Sequence, residues 1–439
     1  MRKKTSMVLA AVCVAAAAAL FGGVLGGNRA EGTVPHANPS AAATRLVGGF
    51  APPGDTEAYV AELEHRVAAN PRDAQGLMLL GLAYQQRARE TGDPAYYGKS
   101  GGVLRRALRI KPQDLIATSA LGSLALSRHR FREALALGRR AVSISPSTAR
   151  GYGVIGDALV ELGRYDEAFT AFNRMVSMKP SLASYARVSY ARELKGDVRG
   201  AADAMRLAVE AAVGQPEALA WSQTQLGKLF WSHGRLRLAE RHYRIALAVR
   251  PDYVYALDAL AQVKAAQGRV RRAVALERRA TDTIPLPQFV ATLGDLERAQ
   301  GHDAAAARQY ALIGAIQQLL RANGVKTDLE TALFDVDHAV RLPHALALAR
   351  AAYLDRPSID GDDVLAWALA RNGRCAEALH HSNRALRLGT LDAAKFFHRG
   401  MIERCLGNRG AATQWFRRAF ALNPHFSVLW APVLRRYAA

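Results

Sequence analysis

Cysteine is nearly absent from this sequence, with three in 439 residues, which excludes a small fold held by a disulfide scaffold. Aromatic side chains make up only 7%, and with Ala and Arg abundant the composition suits helices better than sheets. Acidic residues are in deficit, 38 against 59 basic ones, for a net charge of +21. Such a balance favours anionic partners but carries no information about fold. Catalytic signatures are missing too: there is no HExxH, no paired CxxC, no GxSxG and no Walker loop. The histidines are scattered, and His380-His381 is the only adjacent pair. Neighbours on a helix point roughly 100° apart, a poor arrangement for a shared metal. Gly151-Tyr-Gly153-Val-Ile-Gly156 fits G-x-G-x-x-G, but SISPSTAR before it is no strand, so the dinucleotide reading fails. No catalytic constellation, cofactor site or metal site emerges.

One long apolar run is present, from Met7 to Leu25 behind Arg2, Lys3 and Lys4. A helix of that length reaches roughly 28 Å, close to the hydrocarbon thickness of a bilayer. Two readings stay open: a single-pass anchor with its N-terminus inside a bacterial cytoplasmic membrane, or an export signal that is cleaved. Both place the rest of the chain outside the cytoplasm. The sequence then divides into residues 1–27 (signal peptide or anchor), 28–54 (a Gly-, Ala- and Pro-rich linker), 55–426 (repeats) and 427–439 (a C-terminal capping helix).

The repeats are read from Leu391 to Phe426, where small residues fall at fixed offsets. Gly400 is followed after twelve residues by Ala412, then after seven by Ala419 and after five by Pro424. The apolar period of three to four on both sides of Gly407 predicts two helices joined by a tight turn and ended by proline. The helix-crossing position recurs at Gly81, Gly122, Gly156, Ser189, Gly227, Ala261, Gly294, Leu333, Ala366 and Gly400. Turn glycines follow seven residues later at Gly163, Gly196, Gly234, Gly268, Gly301, Gly373 and Gly407. Phe416, four residues after Ala412, is expected to fill the groove beside the small residues. Seven extra residues between Gly81 and Ala107, in a stretch with Gly92, Pro94 and Gly98, predict a loop or an extended turn. Near Leu333 the pattern weakens: Gln318 replaces the expected proline and no turn glycine follows, which predicts a bend or pause.

This pattern resembles the tetratricopeptide repeat over about residues 55–426. The resemblance implies an all-α, right-handed solenoid of about ten helix-turn-helix repeats, with no enzymatic activity and no cofactor. It also implies a concave groove lined by the first helix of each pair. Carrying the family's groove positions onto this chain marks Trp221, Lys228, Trp231, Tyr255, Asp258, Trp367, Arg371, Phe397 and Arg404 for a protein or peptide partner, with Glu193 among further groove positions. Trp221, Lys228, Trp231 and Tyr255 form the densest cluster, of a kind that interface hot spots favour and core packing also produces. On the second helices, Arg105-Arg106, Arg139-Arg140, Arg278-Arg279 and Arg417-Arg418 occupy one matched place. They are either a convex basic ladder for anionic membrane lipids or wall polymers, or a solvated face. Cys375 and Cys405 fall at one rim of the stack, as a disulfide or as two thiols. The leading reading is an exported or membrane-anchored scaffold that binds a protein or peptide in its groove. The envelope-contacting ladder is the alternative. Nucleic acid is disfavoured, because the groove positions mix acids with bases.

Overall fold

The computed structural model describes residues 55–438. The expected export segment and linker lie outside the described residues. Among the described residues all regular structure is helical. A first helix, α1 (Asp55–Ala69), is followed by ten antiparallel pairs and a last helix. The pairs are α2 and α3 (Ala74–Thr91, Ala95–Ile110), α4 and α5 (Leu115–Ser127, Phe131–Ile144), α6 and α7 (Ala149–Glu161, Tyr165–Met178), α8 and α9 (Leu182–Leu194, Val198–Glu210) and α10 and α11 (Pro216–Ser232, Leu236–Val249). Next come α12 and α13 (Val254–Ala266, Val270–Thr283), α14 and α15 (Pro287–Ala299, Asp303–Ala322), α16 and α17 (Asp328–Asp337, Leu342–Asp355), α18 and α19 (Ile359–Arg371, Cys375–Ala385) and α20 and α21 (Ala393–Cys405, Arg409–Leu422). The chain closes with α22 (Ala431–Ala438). None of these helices is long and apolar enough to cross a membrane.

Local chemistry sets the boundaries. Asp114, Thr148, Asp197, Ser358 and Asp392 cap first or second helices by accepting backbone N–H bonds from the first turn. Second helices stop where the residue before a proline, such as Ser145, Lys179 or Arg250, takes an extended conformation. Within each pair a missing side chain lets the helices close. A Cβ on Gly156 would lie 2.3 Å from the Phe172 ring, and one on Gly400 would lie 2.5 Å from Phe416. The first helix of a pair is buried on most sides, whereas the second buries one stripe. In α4 ten positions are buried, in α5 five.

Two expectations are corrected here. The extra residues of the first repeat form no loop: they lengthen α2 and carry Gly98 into α3. Ser100 donates to the Gly81 carbonyl at 2.8 Å, and Leu104 fills the space over Gly81, so small residues let the longer helices pack. Without a proline near Gln318, α15 runs for 20 residues, and its end reaches back to the start of the chain. Ile313, Ile316, Leu320 and Val325 share a core with Leu77, Leu104 and Leu121.

That contact begins a second superhelical turn. His129 Nδ1 meets the Lys326 carbonyl at 2.7 Å, and the Ile359 N–H donates to the Tyr165 hydroxyl at 2.7 Å. Thr390 donates to the Leu194 carbonyl, and Asn423 to that of Trp231 at 2.8 Å. These partners are 192 to 197 residues apart in sequence, so the turns touch after a little under six repeats. Arg356 pairs with Glu161 across the turns, both buried, and with the half-buried Glu330 at 2.8 Å. The turn glycines serve this closure as well as the left-handed backbone. At Gly163 (φ 72°) a Cβ would lie 2.3 Å from the Pro357 carbonyl oxygen.

Candidate functional site

The superhelix encloses a cavity of about 680 Å³, within the usual range for ligand sites. Trp221, Lys228, Trp231, Tyr255 and Asp258 all line it. Helical spacing explains their meeting: Lys228, seven residues after Trp221 and three before Trp231, lies on one face of α10, and Tyr255 and Asp258 share a face of the adjacent α12. Packing fixes their orientations. The Tyr255 ring stands edge-on to Phe289 with centroids 5.8 Å apart, and Trp221, 5% exposed, is embedded in the core around it.

Further wall residues come from remote parts of the chain: Arg89 and Glu90 of α2, Glu193 of α8 and Asp360 of α18. Gln86 bridges two of these regions, donating to Glu90 at 2.9 Å and to Glu217 of α10 at 3.1 Å. A repeat ruler reads one helix pair at a time, so it had no means of bringing Arg89 or Asp360 to this place.

The cavity's charges are only partly compensated. Burial, reinforced by the Asp392 charge, pushes the Glu193 carboxyl up to about 7. Burial pushes Asp258 up to about 6 against the pull of Lys228, and it lowers Lys228 in turn. Behind Asp258 lies Glu277, fully buried, at the position where other repeats carry Phe172, Tyr243, Tyr310 or Phe416. Among the described residues no donor reaches either Glu277 oxygen. Burial and then the Asp258 charge hold its carboxyl well above the ordinary range. The sequence signal for this residue was legible: a glutamate sixteen residues after Ala261, in a column of aromatics.

The C-terminal groove positions differ. Trp367 and Phe397, expected to face a partner, are 1% and 0% exposed. Trp430, just before α22, covers them at ring distances of 5.6 and 5.4 Å. Both indoles, Trp367 and Trp430, donate to Asp337 Oδ1 at 2.9 Å. The Arg371 guanidinium lies 5.2 Å from the Trp367 ring and 5.5 Å from that of Trp430, and Arg404 lies 4.3 Å over Tyr437. The chain's own terminus therefore occupies this stretch.

On the convex side the arginine pairs are surface residues with unequal tasks. Arg106, Arg140 and Arg279 donate to the carbonyls of Pro71, Pro112 and Pro251 at 3.4, 2.8 and 3.3 Å. Each thereby ties its helix to the end of the preceding repeat. Arg278 pairs with Glu297 at 2.7 Å, and Arg418 lies over Trp415 at 4.2 Å. Arg105, Arg139 and Arg417 are exposed. At one rim, Cys375 and Cys405 are joined as a disulfide with Cα atoms 5.9 Å apart. Gly151, Gly153 and Gly156 lie inside α6, with no strand before it.

Stacked antiparallel pairs around a superhelical axis define an α-solenoid. The tetratricopeptide repeat model matches residues 119–183, 154–216 and 224–286, and the chain carries tetratricopeptide repeats there. No curated protein sequence matches the chain. Among solved structures it is similar to TTC0263, a thermophilic tetratricopeptide-repeat protein of Thermus thermophilus, at 24% identity and a TM-score of 0.38, over 46% of this chain and 98% of that one. It is similar to human IFIT1, solved as a dimer with PPP-AAAA, at 16% identity and 0.47, over 76% and 78% of the two chains. A third is YrrB, described as having an unusual peptide-binding site, at 18% identity and 0.29, over 42% and 92%.

Proposed function

We propose that this protein is a non-catalytic scaffold that holds a protein or peptide in the cavity of its solenoid. The observation that carries this reading is the cavity of about 680 Å³ walled by Trp221, Trp231 and Tyr255. Large rigid aromatics at a concave surface supply contact area at small entropic cost, the usual anchor of a recognition site. The scaffold works outside the cytoplasm, as an anchored or exported protein. Two features support that placement: the apolar run Met7–Leu25 behind three basic residues, and the Cys375–Cys405 bond, which persists in oxidising compartments.

A photo-cross-linker at position 231 in intact cells tests the reading. It should capture one recurrent partner, and the same probe at the covered position 367 should not. Equal recovery from both positions would end the proposal.

The convex ladder supports a weaker second reading, contact with anionic lipid. A depression lined by Arg105, Arg109 and Arg140 with Glu133 favours it, whereas the tethering of Arg140 to Pro112 counts against it. Binding to anionic vesicles that survives Arg105→Glu with Arg139→Glu would dispose of it.

A further inference from the structure

The whole chain carries a charge of +21, yet the cavity wall has six carboxyl groups against three cations. Four of the six are engaged with nearby groups. Glu90 pairs with Arg87 at 3.2 Å, Glu217 with Arg250 at 3.8 Å, Asp252 with Arg279 at 3.0 Å and Asp360 with Lys395 at 2.7 Å. The other two form no ion pair among the described residues. Among the described residues no donor and no cation comes within bonding distance of Glu193, and Asp258 accepts from the Gln262 amide at 3.0 Å. Lys228 acts on both carboxyls, and Lys395, which also acts on Glu193, is itself paired with Asp360 and Asp392. Beside this excess negative charge stand the faces of Trp231 and Tyr255, both half-buried.

We infer that the cavity recognises a cationic side chain, arginine or lysine, of an extended peptide, its charge set between Glu193 and Asp258 and its stem laid on Trp231 and Tyr255. The inference rests on the peptide-binding reading above and deepens it. An aromatic face attracts a cation through its quadrupole, and more strongly where water is excluded. A hydrogen bond from a cation to a carboxylate shielded from water is stronger than one between neutral groups. A peptide bearing glutamate would instead meet uncompensated like charge. The overall basicity of the protein does not oppose this, because surface charges are screened over about 8 Å at physiological ionic strength whereas charges within the cavity are not. A cationic ligand would also offset what raises these carboxyls: burial holds both above their ordinary range, and the Asp392 and Asp360 charges add to it at Glu193.

The test uses the full-length chain and four hexapeptide libraries, their central residue fixed as Arg, Lys, citrulline or Glu, with binding read by fluorescence polarisation. The Arg and Lys libraries should bind about tenfold or more tighter than the citrulline and Glu libraries. Glu193→Gln and Asp258→Asn should each remove most of that preference. Lys228→Met, which deletes the competing cation, should increase it, and this gain separates recognition from simple misfolding. Equal binding by all four libraries, or a preference for Glu, would overturn the cation assignment and leave peptide binding intact. If no library binds and position 231 cross-links to nothing in cells, both proposals fall.

Discussion

Two stretches of the same groove meet opposite fates. In α10 and α12 the aromatics Trp221, Trp231 and Tyr255 wall a cavity. In α18 and α20 the groove positions held by Trp367 and Phe397 are sealed beneath Trp430. Trp367 stands one residue after its helix-crossing residue, as Lys228 does, and Phe397 three before, as Asp258 does, yet Lys228 and Asp258 line the cavity, so the repeat position alone does not determine what faces it. What determines it is the part of the chain that lies across the groove. Near α18 that is the C-terminal segment; near α10 it is the next superhelical turn, which stands off and contributes Asp360 to the far wall.

The contrast depends on the superhelical turns staying in contact, and the largest expected effect comes from breaking that contact. Arg356, 4% exposed, neutralises Glu161 from the first turn and Glu330 beside it. Arg356→Ala strands both carboxylates in the interior, which costs on the order of 3–5 kcal/mol. Chemical denaturation should show that loss, and increased protease cleavage should appear near Lys326 and Thr390. A loss below about 1 kcal/mol would mean that the turns do not depend on this network.

The disulfide fixes the same region from another side. It closes a loop with a sequence separation of 30, for which chain entropy gives about 3–4 kcal/mol. Cys375→Ser should lower the stability of the disulfide-bonded protein by that order. Mass analysis with and without reductant should show a change of one bond in the parent and none in the variant.

A smaller effect separates the turn glycines that touch a neighbouring turn from those that do not. Gly163 and Gly268 both have positive φ, 72° and 75°, so alanine is strained at either by roughly 1–2 kcal/mol. Only at Gly163 does the new Cβ also strike backbone, the Pro357 carbonyl, whereas at Gly268 nothing lies within 4 Å. Gly163→Ala should therefore exceed Gly268→Ala by about 1–3 kcal/mol in thermal or urea unfolding. Equal costs would remove the turn-to-turn contact from the account.

The helix pairs were legible because each rests on short-range signals: Gly156 opposite Phe172, a proline after Lys179, a capping aspartate at 197. The cavity aromatics were legible for the same reason, being fixed offsets from Gly227 and Ala261. Closure of the superhelix was not. It follows from small rotations accumulated over many repeats, and its contacts join residues some 195 positions apart, such as Tyr165 and Ile359. The burial of Trp367 was hidden equally well, since Trp430 and Asp337 belong to other repeats. One local clue was available: Gln318 in place of proline let α15 continue far enough to reach Leu121, where the second turn begins.

The smallest expected effect sharpens the comparison electrostatically. Glu193 in the open stretch has a carboxyl raised to about 7 from 4.5, mainly by burial and then by Asp392. Asp360 and Asp392, whose neighbour Lys395 pairs with both, are held below the ordinary range. Folded protein therefore binds a proton at Glu193 that unfolded protein has released, over the window from about 4.5 to 7. The contribution of this group to stability is complete below that window and is lost as pH rises through it. The groups facing it from neighbouring elements, Lys228, Lys395, Asp360 and Asp392, keep their charge across most of the window. Glu161, also raised to about 7 by burial, and Asp258, raised to about 6, add to the slope in the same direction, so Glu193 carries one share of it. Glu193→Gln should flatten the fall in melting temperature between pH 5 and pH 7.5 and leave the variant no less stable than the parent at the upper end. A slope unchanged by the substitution would show that Glu193 is already compensated, and the open stretch would then be as well balanced in charge as the covered one.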